Sequence, residues 1–349
     1  MNALPTINNK YLIDFLVGLL NTPSPTGYTK KAIAYIENAL TAFPFLEVAQ
    51  TKKGGLVAVW NGKNATSPRG LTAHADTLGA MVKEIKSNGR LKLTQLGGYP
   101  WNAIEGEGCT VFASQGEPVR GSILIDAASV HVYGKDVAET KRNGDHMEVR
   151  LDARTTSQDE TESLGIAVGD FVAFDPRVEV TNGFIRSRHL DDKAGVACIL
   201  AAIEALREAG LTPTQNTTFH FSNYEEVGHG ASSGFPADMS ELIAVDMAAV
   251  GRGQTSDEFN TTLCVKDSGG PYHHGLSQRL RKLAQEHEIP FKVDVYPHYG
   301  SDGEAYWRAG GDVAVALIGP GVDASHNYER THTDALIATS KWVLAYLLS

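Results

Sequence analysis

The local pattern of residue types changes twice along this chain, and these two changes limit the possible folds more than any other feature. Between about residues 79 and 181, glycines and short runs of β-forming residues dominate, as in 91–96 and 109–113. On both flanks, apolar strands alternate with amphipathic helices, which is typical of a largely parallel sheet. We therefore predict an α/β domain from residues 1–78 and 182–349, with a mixed, largely parallel sheet flanked by helices. Residues 79–181 are predicted to form an inserted small all-β domain.

The composition excludes several classes of protein. A net charge of −10 argues against nucleic acid and against anionic membranes as partners. The apolar stretch at residues 11–20 is interrupted by Asp14 and is too short to span a bilayer. Three cysteines are an odd number without paired spacing, which favours a reducing compartment. We expect a cytoplasmic protein.

One predicted strand, residues 219–224, runs into two adjacent carboxylates, Glu225 and Glu226, followed by Gly228. Neighbouring buried carboxylates are costly unless a cation or a proton offsets their charge. Most isolated Glu-Glu pairs avoid that cost by facing water. The alternative is that one carboxylate binds a metal ion while the other handles a proton.

Further candidate ligands follow other predicted strands and helix starts. His74, Asp76 and Asp246 stand at strand ends, Asp191 opens a helix, and His332 precedes the last helix. In open α/β sheets, ligands gather at the carboxyl ends of the strands. With the two glutamates these residues provide two imidazoles and five carboxylates, a set that suits zinc, cobalt or manganese.

A rival motif is the segment 230–234, Gly-Ala-Ser-Ser-Gly, which matches the pattern of a serine nucleophile elbow. Such an elbow places its serine at the tip of a strand. Here the strand is predicted to end near Tyr224, so we disfavour a serine hydrolase.

The candidate residues belong to a set of motifs in a fixed order: His74-Ala75-Asp76, Leu190-Asp191-Asp192-Lys193, Glu225-Glu226-Val227-Gly228, Val245-Asp246 and a late histidine. In this order the chain resembles the co-catalytic dinuclear metallopeptidases of the glutamyl, tetrahedral (TET) and deblocking aminopeptidase family. The resemblance extends over nearly the whole chain and implies a zinc-aminopeptidase-like fold. It also implies two divalent metal ions per subunit, with zinc expected and cobalt or manganese as alternatives.

Carried over by position, the resemblance implies a role for each ligand. His74 and Asp246 would hold one ion. Glu226 and His332 would hold the other, and Asp191 would bridge both ions.

The resemblance also implies the roles of two carboxylates that are not ligands. Glu225 would be the general base. It would take a proton from the water molecule that becomes the metal-bridged hydroxide. Asp76 would orient His74 from outside the coordination sphere, as metal-bound histidines usually require.

The last ligand is ambiguous because Ser325-His326-Asn327-Tyr328-Glu329-Arg330-Thr331-His332 departs from the family's usual Arg-Tyr-Ile-His. Both His326 and His332 are candidates. We favour His332, because His326 would reach the site only if its loop turned back.

The predicted function is a metal-dependent aminopeptidase that hydrolyses N-terminal residues of short peptides. An alternative is a dinuclear deacylase or amidase that acts on N-acylated amino acids or a small modified peptide. A non-catalytic metal-binding assembly protein is the alternative of another class, and Glu225 argues against it. By resemblance, the inserted domain would form dimers, and such dimers would build a homo-oligomer, in some relatives a dodecamer.

Overall fold

The structure, a computed structural model, describes residues 3–349. The chain forms two compact units, one made of the residues up to 76 together with 177–349, and the other of residues 77–176. The predicted insertion, 79–181, starts two residues later and ends five residues later. The difference at its end has a structural cause, because Glu179–Thr181 pairs with Phe184–Ser187 inside the larger unit.

The helices in the described part of the chain are α1 (Asn9–Leu20), α2 (Lys30–Leu40), α3 (Val130–Tyr133), α4 (Asp136–Glu139), α5 (Gln158–Glu162), α6 (Leu190–Glu208), α7 (His274–Glu286), α8 (Asp302–Arg308) and α9 (Thr333–Leu348). The first strands, to the end of the smaller unit, are β1 (Leu46–Gln50), β2 (Leu56–Trp60), β3 (Asn64–His74), β4 (Gly79–Ile85), β5 (Leu91–Leu96), β6 (Gly108–Phe112), β7 (Val119–Ile125), β8 (Met147–Leu151) and β9 (Phe171–Phe174). The later strands are β10 (Glu179–Thr181), β11 (Phe184–Ser187), β12 (Gln215–Ser222), β13 (Glu241–Val245), β14 (Ala248–Val250), β15 (Thr261–Asp267), β16 (Gly270–Pro271), β17 (Phe291–Val295), β18 (Ala314–Asp323) and β19 (Glu329–His332).

The larger unit is built on a mixed sheet with the order β1-β2-β12-β3-β13-β18-β19-β11-β10. Its central strands β12, β3, β13 and β18 run parallel to one another. The strands on both sides of this centre are antiparallel, and β15 extends the sheet from β18 with β16 and β17. Because the central strands are parallel, their carboxyl ends lie at one edge, where ligands of α/β proteins gather.

Helix α6 lies at the centre of the core and is buried on nearly all sides, from Leu190 to Leu206. A helix that is apolar all round must be enclosed, and α6 packs against α1, α9 and β3. It also passes close to the end of β13: a Cβ atom on Gly195 would lie 2.2 Å from the carbonyl oxygen of Val245. A glycine is therefore needed there, and it brings the start of α6 next to Asp246.

The smaller unit is a closed antiparallel barrel with the strand order β4-β5-β8-β7-β6-β9. Alternating residues of these strands, such as Leu91, Val111, Ile123, Val149 and Val172, fill its interior. Closure leaves no free sheet edge, which is the usual way for a small β domain to avoid edge pairing. Three short helices, α3 to α5, connect its strands.

Within residues 3–349, no helix combines the length and the apolar character that a membrane crossing requires.

Candidate metal centre

The ends of three parallel strands place the first candidate residues next to one another. His74, the last residue of β3, is in register with Ser222, the last residue of β12. Asp246 directly follows β13, and its backbone N–H donates to the carbonyl oxygen of Ile318 in β18. The strand-end positions predicted for these residues therefore coincide at one edge of the sheet.

His74 is buried and has a defined orientation. Its Nδ1 lies 2.8 Å from the main-chain oxygen of Asp76. Because a carbonyl oxygen can only accept, Nδ1 carries the proton, and in the neutral ring Nε2 presents a lone pair. Nε2 lies 3.0 Å from Oδ1 of Asp191. His74 thus points its ligand atom at the predicted bridging carboxylate.

The carboxylate of Asp76 was predicted to orient His74, but its close contacts are with other groups. It lies 3.8 Å from Nδ1 of His74, so the main-chain oxygen, and not the carboxylate, makes the close contact with the ring. The carboxylate instead accepts the backbone N–H groups of Glu225 and Glu226, at 3.2 and 3.3 Å, and the hydroxyl of Thr26, at 2.7 Å. Asp76 therefore orients the glutamate pair through its side chain and His74 through its backbone.

Asp191 offers one carboxylate oxygen to each of two imidazoles. Oδ1 faces Nε2 of His74 at 3.0 Å, and Oδ2 faces Nε2 of His326 at 3.4 Å. The regular helical conformation of α6 starts only after Asp192, and at Asp191 the backbone is extended (φ −75°, ψ 107°). This conformation lets the Asp191 side chain stand between the two rings.

The adjacent glutamates point to different imidazoles. They lie in a single 3₁₀ turn, Glu225–Val227, which starts after Tyr224 (φ 75°) and ends at Gly228 (φ 87°). Oε2 of Glu225 lies 3.6 Å from Nε2 of His74, whereas Oε2 of Glu226 lies 3.7 Å from Nε2 of His326. The turn thus separates the two carboxylates that the sequence places side by side.

The preference for His332 over His326 disagrees with the structure. The His332 ring packs against Phe184 and Phe259, and its Nδ1 accepts the backbone N–H of Asp334 at the start of α9. His326 occupies the predicted position beside Asp191. The loop does turn back, because Ala324 and His326 both adopt left-handed backbone conformations (φ 58° and 62°).

One buried residue of the site was missed. Glu329, the first residue of β19, accepts the backbone N–H of Asp191 at 3.2 Å and that of His326 at 3.1 Å. The available signal was the alternation in β19, where Glu329 and Thr331 are buried and Arg330 is exposed. Period-two alternation places Glu329 on the inner face together with Thr331.

The candidate ligands form two overlapping groups. His74, Asp191 and Asp246 present ligand atoms within 4.8 Å of one another, and so do Asp191, Glu226 and His326. Among the predicted ligands, His74, Asp191, Glu226 and Asp246 come together, and His332 does not. Asp191 belongs to both groups.

Burial shifts the protonation of the acidic members. Burial and the charge of Asp191 raise the pKa of Glu226 to about 8 and that of Asp246 to about 7. Burial also raises the pKa of Glu225 well above its ordinary value, although His74 opposes the shift. The metal-free site therefore retains protons near neutral pH.

The charges of neighbouring groups outweigh burial at His74 and at Asp191. Burial alone would lower the pKa of His74, but the carboxylates of Glu225, Asp191 and Asp246 hold it well above its ordinary value. Burial opposes the ionisation of Asp191, yet its hydrogen bonds to His326 and His74 hold its pKa below the usual range. A cation in this cluster is thus electrostatically favoured.

These shifts predict how the stability of the metal-free protein depends on pH. Between about pH 5 and pH 7, folded Asp246, Glu226 and His74 keep protons that unfolded carboxyl and imidazole groups have lost or are losing. The free energy of unfolding should therefore fall as pH rises, by up to about 1.4 kcal/mol per pH unit for each such group. Two groups act in the opposite sense: His220, whose pKa burial lowers to about 4, does so up to about pH 6.5, and Lys193, whose pKa burial lowers to about 7, does so above that pH. The three groups that keep protons outnumber the single opposing histidine between about pH 5 and pH 7.

Urea unfolding of chelator-treated protein at pH 5, 6 and 7 measures this dependence. The same titrations with saturating Zn²⁺ are the control. A bound ion displaces the protons and binds more tightly as pH rises, so the fall in the free energy of unfolding should disappear. A metal-free protein that is equally stable or more stable at pH 7 would contradict the prediction.

The residues present fit divalent metal ions. Imidazole nitrogens and carboxylate oxygens are the ligands that zinc and related ions take. Oδ1 of Asp246 is buried and has no hydrogen-bond partner within the protein, an arrangement that is costly unless something else binds the atom. Asp246 therefore provides a specific observation in favour of an ion at the first group.

The rival serine motif has no catalytic geometry. Ser232 donates its hydroxyl proton to the carbonyl oxygen of His229. The nearby Lys53 ammonium donates to Ser232 Oγ and to the carbonyl oxygens of His229 and Gly230. All three ammonium protons are thus engaged, so Lys53 cannot serve as the base that a serine nucleophile needs.

Histidines and carboxylates at the ends of parallel strands define a class of protein, the metal-dependent hydrolases built on an α/β sheet. The family model of the M42 glutamyl aminopeptidases matches residues 54–342. The chain belongs to this family of dinuclear metallopeptidases, and the resemblance in its motifs is confirmed.

Known relatives support the assignment over most of the chain. The protein YhfE of Bacillus subtilis (strain 168) is 48% identical over 338 residues, which are 97% of each chain. The lysyl aminopeptidase of Pyrococcus furiosus is 24% identical over 86% of each chain.

Solved structures confirm the predicted fold class. The TET aminopeptidase of a marine sediment archaeon of the Thaumarchaeota superposes with a TM-score of 0.86 at 18% identity, over 96% of each chain. The Pyrococcus horikoshii TET1 peptidase, which can assemble into a tetrahedron or a large octahedral shell, superposes with a TM-score of 0.84 at 21% identity, over 97% of this chain and 99% of that one.

Proposed function

We propose that this protein is a dinuclear metal-dependent aminopeptidase that removes N-terminal residues from short peptides. The observation that carries the proposal is the placement of Asp191, whose two carboxylate oxygens each face the Nε2 atom of a different histidine. A single carboxylate between two imidazoles is the arrangement expected of a group that bridges two ions.

Two sets of ligands would hold the ions. His74, Asp191 and Asp246 would hold the first, and Asp191, Glu226 and His326 would hold the second. Zinc is the expected metal, with cobalt and manganese as alternatives. When bound, such ions polarise a carbonyl group and lower the pKa of water, which is the chemistry that amide hydrolysis needs.

Glu225 would move the proton. Its carboxylate lies beside His74 but makes no part of either ligand group, so it stays available to a water molecule. Glu225 would accept a proton from the water that attacks the peptide carbonyl and pass it to the leaving amine. Burial raises the pKa of Glu225 well above its ordinary value, which favours a role in accepting and then donating a proton.

The charge of the site favours a substrate with a free amine. Asp191, Glu225, Glu226, Asp246 and Glu329 provide five buried or half-buried carboxylates, against four positive charges from two divalent ions. When these groups are ionised, the site retains negative charge that attracts a cationic α-amine. An N-acylated substrate lacks that cation.

We also propose a homo-oligomer in which the barrel unit forms dimers. On the barrel unit, Val130 and Val132 of α3 are 62% and 72% exposed, and Tyr133 beside them is 44% exposed. Exposed apolar residues in one short helix are typical of a surface that another chain covers. The assembly of the archaeal TET1 relative is consistent with this proposal.

A screen of metals against matched substrates tests the function. The metal-free protein is loaded with Zn²⁺, Co²⁺ or Mn²⁺ and offered the same short peptide with a free or an acetylated N-terminus, and also N-acetylated amino acids. We expect release of the N-terminal residue from the free peptide only, and its loss on chelation. Cleavage confined to the acetylated compounds would instead identify a deacylase, and two bound ions without hydrolysis would identify a non-catalytic metal-binding protein.

A further inference from the structure

Glu329 is a buried carboxylate that none of the roles above requires as a ligand or as a base. It is 2% exposed and opens strand β19, where it pairs with Ser187 at the end of β11. In a strand, a buried inward position is usually apolar or a β-branched residue such as Thr331. Burying a carboxylate costs free energy unless it is hydrogen-bonded. The hydrogen-bond partners of Glu329 therefore indicate its structural role.

Its two oxygens accept from two backbone N–H groups that belong to metal-ligand residues. Oε2 accepts from the N–H of Asp191 at 3.2 Å, and Oε1 accepts from the N–H of His326 at 3.1 Å. These residues lie 135 positions apart in the sequence, because 326 − 191 = 135. One carboxylate therefore connects the start of α6 to the loop before β19.

Both N–H groups lie in irregular stretches of backbone. Asp191 follows β11 and has an extended conformation before the helix proper, and His326 lies in a left-handed conformation (φ 62°) ahead of β19. Buried or half-buried N–H groups need an acceptor, and a non-glycine residue in the left-handed region costs about 1 kcal/mol or more. The Glu329 carboxylate is placed to offset both costs.

Asp76 makes the same kind of contact on the other side of the cluster. Its carboxylate accepts the N–H groups of Glu225 and Glu226. Asp192 does the same for the N–H groups of His74 and Gly195. The site thus has three buried carboxylates that each hold a pair of backbone N–H groups. The His-x-Asp motif indicated Asp76, whereas no motif indicated Glu329.

We infer that Glu329 is a positioning residue that sets the separation between Asp191 and His326, and hence the affinity and geometry of the ion that these two residues share. The inference rests on the proposed metal centre. It assigns Glu329 to neither coordination nor proton transfer. A residue that only stabilised the fold would affect both ions alike, whereas Glu329 holds two ligands of the second ion and one of the first.

The test is Glu329→Gln, which preserves size but replaces one acceptor oxygen with an NH₂ group that can only donate. One of the two N–H groups then loses its acceptor and faces a donor. We expect the affinity for the second ion to fall by roughly 10- to 100-fold, the usual effect of losing an outer-shell partner. The affinities are measured by chelator competition with Zn²⁺, and the geometry by the visible absorption spectrum of the Co²⁺-loaded protein.

The matched control is Glu258→Gln. Glu258 belongs to the same larger unit, and its side chain pairs with Arg330. This control should leave both affinities and the cobalt spectrum unchanged. In a His326→Ala background, where one ion remains, Glu329→Gln should weaken binding less than it does in the native protein, because ligands in one network couple.

Unchanged affinities and an unchanged cobalt spectrum in Glu329→Gln would overturn the inference, as would equal losses for both ions. If that variant does not fold, Glu329→Asp keeps the charge but is one methylene too short to reach both N–H groups, and the same outcomes apply. Because these measurements need no turnover, they remain decisive even if the wild-type protein hydrolyses no peptide, which would count against the proposed function alone.

Discussion

Replacing Glu225 by Gln should lower kcat of the metal-loaded enzyme by 10²- to 10⁴-fold, the usual contribution of a general base. The amide preserves the shape of the side chain but cannot accept a proton from water. Metal content should stay at the wild-type level, because Glu225 lies outside both groups of candidate ligands. KM should change little, since a base that acts on water stabilises mainly the transition state.

The neighbouring Glu226→Gln is the matched comparison. Glu226 faces His326 and belongs to the second ligand group, so its amide should lower the affinity for metal as well as the rate. Turnover and metal content are measured together on both variants, at saturating metal and with the best substrate of the screen. A Glu225→Gln enzyme that retains more than about a tenth of wild-type turnover contradicts the assignment of the base.

The parts of the fold and site that follow from periodicity were predictable. The alternation of strands and helices indicates parallel strands, and parallel strands bring their carboxyl ends to one edge. For this reason, locating the ends of β3 and β13 in the sequence was enough to predict that His74 and Asp246 lie close together. The change from alternating strands and helices to short glycine-rich β runs was enough to predict the separate β domain.

The parts that depend on irregular backbone were not predictable from residue types. His326 reaches Asp191 because Ala324 and His326 adopt left-handed conformations, and neither is a glycine or an asparagine that would signal such a turn. The choice of His332 assumed a loop that runs on without reversing. A reversal of this kind is stabilised by tertiary contacts, here by the Glu329 carboxylate at the His326 N–H.

The role of Asp76 shows a second limit. The spacing of His74 and Asp76 correctly indicates a contact between the two residues. In an extended chain, side chains at i and i+2 share a face, which suggests a contact between carboxylate and ring. The chain leaves the strand after His74, so the main-chain oxygen of Asp76 meets the ring instead, and the carboxylate turns to Glu225 and Glu226.

Replacing His326 by Ala should reduce the metal content at saturation from two ions to one per chain, and His332→Ala should leave it at two. Only the first removes a ligand atom from the group of Asp191, Glu226 and His326. The His326 side chain is 38% exposed, so its truncation leaves no enclosed cavity and the fold should persist. Turnover should fall by at least about 100-fold, because loss of an outer-shell partner alone can lower activity by that factor and His326 is a direct ligand.

The His332 variant is the matched control, because it removes the same imidazole six residues further along the chain. Its ring packs on Phe184 and Phe259, so a modest loss of stability is expected without a change in metal content. Elemental analysis after dialysis against excess Zn²⁺, combined with turnover and thermal unfolding of each variant, separates these effects. The reverse result, one ion in His332→Ala and two in His326→Ala, would return the last ligand to His332 and would require the loop at residues 324–328 to adopt another conformation in the loaded enzyme.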